Sequence, residues 1–191
     1  PGGKSSHIQA ISAGQADLVC NDNSKPRLMK LQANLKRLNA SAEFMLADAR
    51  YISRRQLEVF DKILLDAPCS GEGLMSLNAS DAPLFDSWSV AHIRRLSDLQ
   101  KRLILEAWRL LKPGGTLVYS TCTMAPEENE VVVDWLLRRQ SNAELIPIDI
   151  APLPDRAPVV QSWNNRALTH DLSGCLRLMP GRLTEAFFVA A

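Results

Sequence analysis

The sequence predicts an α/β fold: a mostly parallel sheet with helices on both faces and an antiparallel pair of strands at its end. Two observations predict it. Short apolar runs alternate with amphipathic stretches of helical period, the pattern of strands joined by crossover helices. The last two apolar runs, "GCLRLM" (174–179) and "EAFFVA" (185–190), sit at hairpin-like separation.

The elements follow in order. "PGGKSSHIQA" (1–10) is a Gly-rich turn running into helix-forming sequence. "DLVCN" (17–21) reads as a short buried strand. "SKPRLMKLQANLKRLN" (24–39) reads as a helix: Ser24 can cap it, Pro26 suits its first turn, and Leu28, Leu31, Leu35 and Leu38 repeat at spacings of three and four. "AEFML" (42–46) and "FDKILLD" (60–66) are the second and third strands. A Gly/Ser/Pro/Asp-rich stretch covers 67–86. A long helix over about 90–111 is closed by "KPGG", a helix stop and turn. "TLVYST" (116–121) is a strand. "PEENEVVVDWLLRRQ" (126–140) is a helix with Pro and acids in its first turn, Glu127 and Glu128 among them. "AELIPI" (143–148) is a further candidate strand, and 151–173 is the least regular region.

The bulk numbers narrow the class. A chain of 191 residues, 46% hydrophobic and 23% charged, suits one globular domain spanning 1–191. A net charge of +1 offers no global argument for nucleic acid, so such a partner requires a local patch. No apolar run approaches the roughly 18 residues of a membrane span. Cys20, Cys69, Cys122 and Cys175 are widely spaced, without CxxC spacing or a Cys/His zinc pattern, so no metal site is predicted. Reduced thiols and a cytoplasmic setting are expected.

In open α/β sheets ligands bind at the carboxyl ends of the strands. Those ends carry Asp22, Asp48, Asp66 and Cys122 in turn. Taken singly, each acid is as readily a turn former or helix cap. Together they load the same edge every time, which favours a site. Cys20 and Cys175, inside apolar runs, read as small core hydrophobes. Cys69 and Cys122 fall in loops at the ligand edge, where a thiolate can act as a nucleophile. A redox disulfide between them is a weaker alternative.

"PGGK", "LLDAPCSGEG" (64–73) and "LVYSTCTMAPEENE" (117–130) closely resemble the Nop/Sun family of RNA cytosine-5 methyltransferases, and the resemblance covers nearly the whole chain. "DAPCSG" followed by "STCT" is the specific part. The "SGEG" and "EENE" variants look most like the bacterial small-subunit ribosomal-RNA branch. The resemblance implies a Rossmann-like class I fold that uses S-adenosylmethionine as cofactor and RNA as partner, ribosomal rather than transfer RNA. It implies that Cys122 is the catalytic nucleophile, that Cys69 assists release of the methylated RNA, and that Asp66 sits beside the target base and near the cofactor. By the same resemblance Asp22 binds the cofactor's ribose hydroxyls, Asp48 lies near its adenine, and Pro1, Gly2, Gly3 and Lys4 lie against its methionine end. The family has a strand running directly into this glycine loop. The first strand and an N-terminal part are therefore expected to be missing, leaving the sheet edge at the start incomplete.

The chemistry asks for such a set. Cytosine C5 is a poor nucleophile until a thiolate adds to C6 and a proton is supplied at N3, and the base must be unstacked to be reached. Two other readings compete: a catalytically silent fragment or RNA-binding subunit, and a nicotinamide-dependent enzyme. The latter needs GxGxxG after a strand, which "PGGKSS" does not match. Basic pairs at Arg54–Arg55, Arg94–Arg95, Lys101–Arg102 and Arg138–Arg139 suit RNA phosphates, although solvated helix faces are the plainer reading. Trp88 suits base stacking, with core packing the plainer reading. Glu72 suits substrate orientation as well as it suits a solvated loop. His7, His92 and His170 receive no role.

Overall fold

A computed structural model describes residues 1–54, 57–74, 88–150, 153–181 and 184–191. Arg55 and most of the 67–86 stretch after Leu74 lie outside the described residues. The chain forms two compact units, Pro1–Gln56 and Leu57–Ala191.

In the first unit, helix α1 (Gly3–Ile11) is followed by strand β1 (Val19–Asp22), helix α2 (Lys25–Arg37) and strand β2 (Glu43–Leu46). Strands β1 and β2 pair in parallel, from Val19 opposite Glu43 to Asp22 opposite Leu46, with α2 as the crossover. The spacing of the α2 leucines buries Leu35 completely. Ser24 stands at the predicted cap position, but its side chain makes no cap bond. Instead, Asp22 Oδ1 accepts from the Ser24 N–H at 2.8 Å. Gly2 takes φ +110°, a conformation glycine tolerates, and Gly3 and Lys4 already belong to α1.

The second unit holds a five-stranded sheet. Strand β3 (Phe60–Asp66) leads through helix α3 (Val90–Leu110) to strand β4 (Leu111–Thr121), and helix α4 (Glu130–Arg139) follows. Beyond α4 come the short strands β5 (Arg156–Ala157), β6 (Ser162–Trp163) and β7 (Arg166–Ala167), then β8 (Leu176–Leu178) and β9 (Phe187–Ala190). The sheet order is β3-β4-β9-β8-β5, and β6 and β7 form a separate hairpin. Strands β3 and β4 are parallel, with Ile63 opposite Leu117 and Asp66 opposite Ser120; β9 joins β4 antiparallel and β8 joins β9 antiparallel. Among the described residues the sheets are mixed rather than mostly parallel: β1–β2 and β3–β4 pair parallel, and β4–β9, β9–β8, β8–β5 and β6–β7 pair antiparallel, because the chain after α4 returns in short strands instead of crossover units. The strand–helix alternation up to β4 and the antiparallel closing pair are those the sequence predicts.

Several assignments differ. "KPGG" ends α3 but belongs to β4, because β4 starts at Leu111 and a register shift between Phe60 and Lys62 absorbs the extra residues. A Cβ on Gly115 would stand 2.7 Å from the Asp61 carbonyl, so this close approach admits only glycine. "AELIPI" is not a strand. It runs beside the sheet with single bonds from Ile146 N–H to Ala191 and from Ile148 N–H to Gly174. Helix α4 begins at Glu130, and "PEEN" forms turns before it. Cys175 lies just before β8 rather than within it, fully buried all the same.

Helix α3 presents Ile93, Ser97, Gln100, Ile104 and Ala107 to the interior at spacings of four and three. Its start is capped by Ser89 Oγ, which accepts from the His92 N–H at 3.1 Å. Tyr119 and Phe188 meet edge to face, 6.5 Å between centroids, beside Val132, Leu136 and Leu172.

Candidate active site

Parallel pairing of β3 and β4 brings their carboxyl ends side by side and carries both sequence-predicted cysteines to one edge. Cys69 Sγ and Cys122 Sγ lie 3.1 Å apart, and both are free thiols. The Cys122 N–H also donates to Cys69 Sγ at 3.4 Å. The strand ends are locked below them: the Ala67 N–H donates to the Ser120 carbonyl at 3.0 Å, and Ser120 Oγ donates to Asp66 Oδ1 at 3.4 Å. Asp66 is exposed at this edge. The loop after Cys69 doubles back over the Cys122 loop, with the Gly73 N–H donating to the Cys122 carbonyl at 3.0 Å.

The two thiols ionise as a pair. A Cys122 thiolate would accept the Cys69 S–H and repel a second negative charge. With burial, this pushes the Cys69 thiol far above its ordinary 9.0. Cys69 is therefore the member of the pair held as the neutral thiol. Cys175 is pushed up to about 12 by burial, and Cys20 is raised by burial too, as suits core residues.

Beneath the cysteines lies a polar cluster that sequence reading assigned elsewhere. Glu128 is not a first-turn helix acid: it is fully buried. Its Oε2 accepts from the Ser70 N–H at 3.0 Å and from Gln100 Nε2 at 2.7 Å. Gln100 Nε2 also donates to the Pro68 carbonyl at 2.8 Å. Ser70 Oγ and Thr123 Oγ1 share a 2.8 Å hydrogen bond. Burial pushes the Glu128 carboxyl above its ordinary range against the pull of these donors. Sequence held one usable clue: Ser97 and Gln100 are polar residues on the apolar stripe of α3, where a side chain that pays desolvation needs a partner.

Trp88 does not pack in the core. It is exposed, and its indole N–H donates to Glu72 Oε1 at 2.7 Å. Glu72 Oε2 accepts from Thr123 Oγ1 at 3.1 Å. Arg94, Arg95, Arg102, Arg138 and Arg139 lie on exposed helix faces. His170 does have a partner, Asp134, whose Oδ1 is 3.0 Å from its Nδ1.

The first unit places Asp22 and Asp48 at the carboxyl ends of β1 and β2. Both are half-buried and already bonded. Asp22 Oδ2 accepts from Arg27 Nε at 2.9 Å, and Arg27 is largely exposed. Asp48 takes a forked bond from the Arg50 guanidinium, which holds its carboxyl below the usual carboxylate range. The Pro1 carbonyl accepts from Asn34 Nδ2 at 2.8 Å, tying the glycine turn to α2.

The family model described as 16S rRNA methyltransferase RsmB/F matches residues 1–191. A tRNA (cytosine(49)-C(5))-methyltransferase of Pyrococcus abyssi is 38% identical over 192 residues, covering 100% of this chain and 60% of that protein. A ribosomal RNA small subunit methyltransferase F of Escherichia coli is also 38% identical, covering 100% of this chain and 37% of that protein. The chain thus spans between about a third and three fifths of these relatives' length. Among solved structures, NSun6 from Pyrococcus horikoshii with SFG superposes with a TM-score of 0.81 at 32% identity, over 100% of this chain and 44% of that one.

Proposed function

The chain belongs to the 16S rRNA methyltransferase RsmB/F family, and from that premise we propose that it methylates C5 of a cytosine in RNA. In this reading 1–191 is the methyltransferase catalytic domain, S-adenosylmethionine is the methyl donor, and the reaction runs in the cytoplasm through a covalent cysteine–C6 adduct. The observation that carries it is the pair of sulfurs 3.1 Å apart at the ends of adjacent parallel strands.

The residues present suit the cofactor. A carboxylate has about four acceptor sites, so Asp22 and Asp48 retain capacity for ribose hydroxyls and the adenine amine. The exposed Arg27 can release the one oxygen it holds. The turn at Pro1 and Gly2 and the start of α1 at Gly3 and Lys4 offer backbone to the methionine end, and nothing lies within 4 Å of where a Gly3 Cβ would be. SFG, held by the Pyrococcus horikoshii neighbour, is an analogue of S-adenosylmethionine. When bound, the cofactor supplies a methyl group activated on a sulfonium.

The chain's own residues do the rest. The Cys122 thiolate adds to C6, and Asp66 holds the proton shared with N3. That raises electron density at C5, which takes the methyl. Loss of the C5 proton to a base breaks the C6–S bond and returns the thiolate to Cys122, with Cys69 assisting release. Ribosomal RNA is the favoured substrate because the matching family model is described for 16S rRNA; the Pyrococcus abyssi relative makes transfer RNA the alternative. Methylation of total RNA with labelled cofactor, followed by mapping of the modified cytosine, tests both. Label on a ribosomal-RNA cytosine supports the reading. Label on transfer RNA changes the substrate, and no label on any RNA refutes the activity.

A further inference from the structure

Cys69 sits on a short segment held from both sides. The carbonyl of the preceding residue, Pro68, accepts from Gln100 Nε2 at 2.8 Å, and the N–H of the following residue, Ser70, donates to Glu128 Oε2 at 3.0 Å. Gln100 and Glu128 are joined to each other at 2.7 Å, and neither has measurable exposure. The same carboxylate reaches the Cys122 loop, because Thr123 Oγ1, whose one proton is shared between Glu72 Oε2 at 3.1 Å and Glu128 Oε1 at 3.4 Å, also meets Ser70 Oγ at 2.8 Å. Glu128 is itself fixed through its backbone: its N–H donates to the Ala125 carbonyl at 3.1 Å, and its carbonyl accepts from the Tyr119 hydroxyl at 2.6 Å.

This arrangement is costly. The side-chain partners of the Glu128 carboxylate among the described hydrogen bonds are Ser70, Gln100 and Thr123, none of them cationic. Gln100 Oε1 is buried without a hydrogen-bond partner. Burying a carboxyl group with only neutral donors, beside an orphaned amide oxygen, is disfavoured against an apolar pair of similar volume. What the pair supplies that an apolar pair cannot is direction: a donor and an acceptor aimed at the two peptide groups flanking Cys69.

We propose that Glu128 and Gln100 are positioning residues that hold the Cys69 segment against the Cys122 loop, setting the sulfur–sulfur spacing on which the release step depends. The proposal rests on the reading of Cys122 as nucleophile and Cys69 as releasing thiol.

Two measurements test it in the intact protein, on Glu128→Ala, Glu128→Gln and Gln100→Met. The first needs no RNA: the rate at which oxidised glutathione closes a Cys69–Cys122 disulfide, with release of two glutathione thiols per bond, reports the spacing directly. The second is the ratio of covalent enzyme–RNA adduct to methylated RNA, with KM for RNA measured alongside. Closure should slow by about 10-fold or more in Glu128→Ala and Gln100→Met, since small displacements of reacting atoms carry large rate costs. The adduct-to-product ratio should rise toward that of Cys69→Ala while KM for RNA stays near wild type. Glu128→Gln retains an oxygen for the Ser70 N–H and should restore most of both readouts. Wild-type closure and wild-type ratio in Gln100→Met would overturn the proposal, and that near-isosteric variant decides if Glu128→Ala fails to fold. If the wild type forms no adduct, the methyl-transfer reading falls and closure alone decides: slow closure in Gln100→Met upholds the positioning role, wild-type closure overturns it.

Discussion

Cys69 Sγ and Cys122 Sγ stand 3.1 Å apart although 53 residues separate them in the chain. The parallel pairing of β3 and β4 brings them together, with Asp66 opposite Ser120 as the last matched pair before the two loops diverge.

Exchanging the two cysteines in turn should separate their roles. Cys122→Ala should abolish both methyl transfer and covalent adduct. Cys69→Ala should instead accumulate an adduct that survives denaturing electrophoresis, because the bond forms and is not resolved. Full methyl transfer by Cys122→Ala would remove it as nucleophile.

The thiols should titrate as a coupled pair. At mildly alkaline pH, limiting iodoacetamide should label a single thiol of the pair, mapped by mass spectrometry, while buried Cys20 and Cys175 stay unlabelled. The sign for Cys69 follows from its causes. The hydrogen bond and charge of Cys122 raise it most, so Cys122→Ala should lower the Cys69 pKa; burial remains, so it should settle above 9.0. Ultraviolet thiolate absorbance against pH reads the shift, and an unmoved midpoint would argue against coupling.

Gly73→Ala should disrupt the site sterically. An added Cβ would stand 2.6 Å from the Ala186 carbonyl oxygen and 2.8 Å from that of Cys122, both backbone atoms that cannot turn aside. A loss of about 1–3 kcal/mol by denaturant melts is expected, the usual range for overpacking, with a larger proportional loss of methyl transfer. Wild-type activity would mean that the Cys122 loop can shift without cost.

Arg177→Met should destabilise the second unit. Arg177 Nη1 donates to the fully buried Glu130 at 2.9 Å, and Nη2 donates to the Met124 carbonyl at 2.5 Å. Removing one partner leaves Glu130 as a buried charge short of its cation, at a cost of about 3–5 kcal/mol. Replacing both, as Arg177→Met with Glu130→Gln, should recover part of that loss in the same melts. Equal loss in both variants would show that packing, not charge, is at stake.

Much of this was legible in sequence because it is local or periodic. The β3 run "FDKILLD" and the 3.6-residue period of α3 announce themselves in a single window, and the strand-end acids follow from the strand assignments. Glu128 was misread because an acid shortly after a proline, ahead of an apolar helix, looks like a first-turn acid whichever way its side chain points. The direction is set by Ser70 and Gln100, 58 and 28 residues away. "AELIPI" failed as a strand for the same kind of reason: its apolar pattern is real, but it makes only isolated bonds to Gly174 and Ala191.

The sequence by itself determined the class of fold, the order of its principal elements and the two cysteine motifs. Each of these depends on residues close together in the chain. Only the tertiary structure decided that the two sulfurs meet, that Trp88 bonds to Glu72 instead of entering the core, and that a buried glutamate and glutamine clasp the segment carrying Cys69. Those facts depend on which distant donors find which acceptors once the sheet has formed and water has been excluded. No local pattern encodes that pairing.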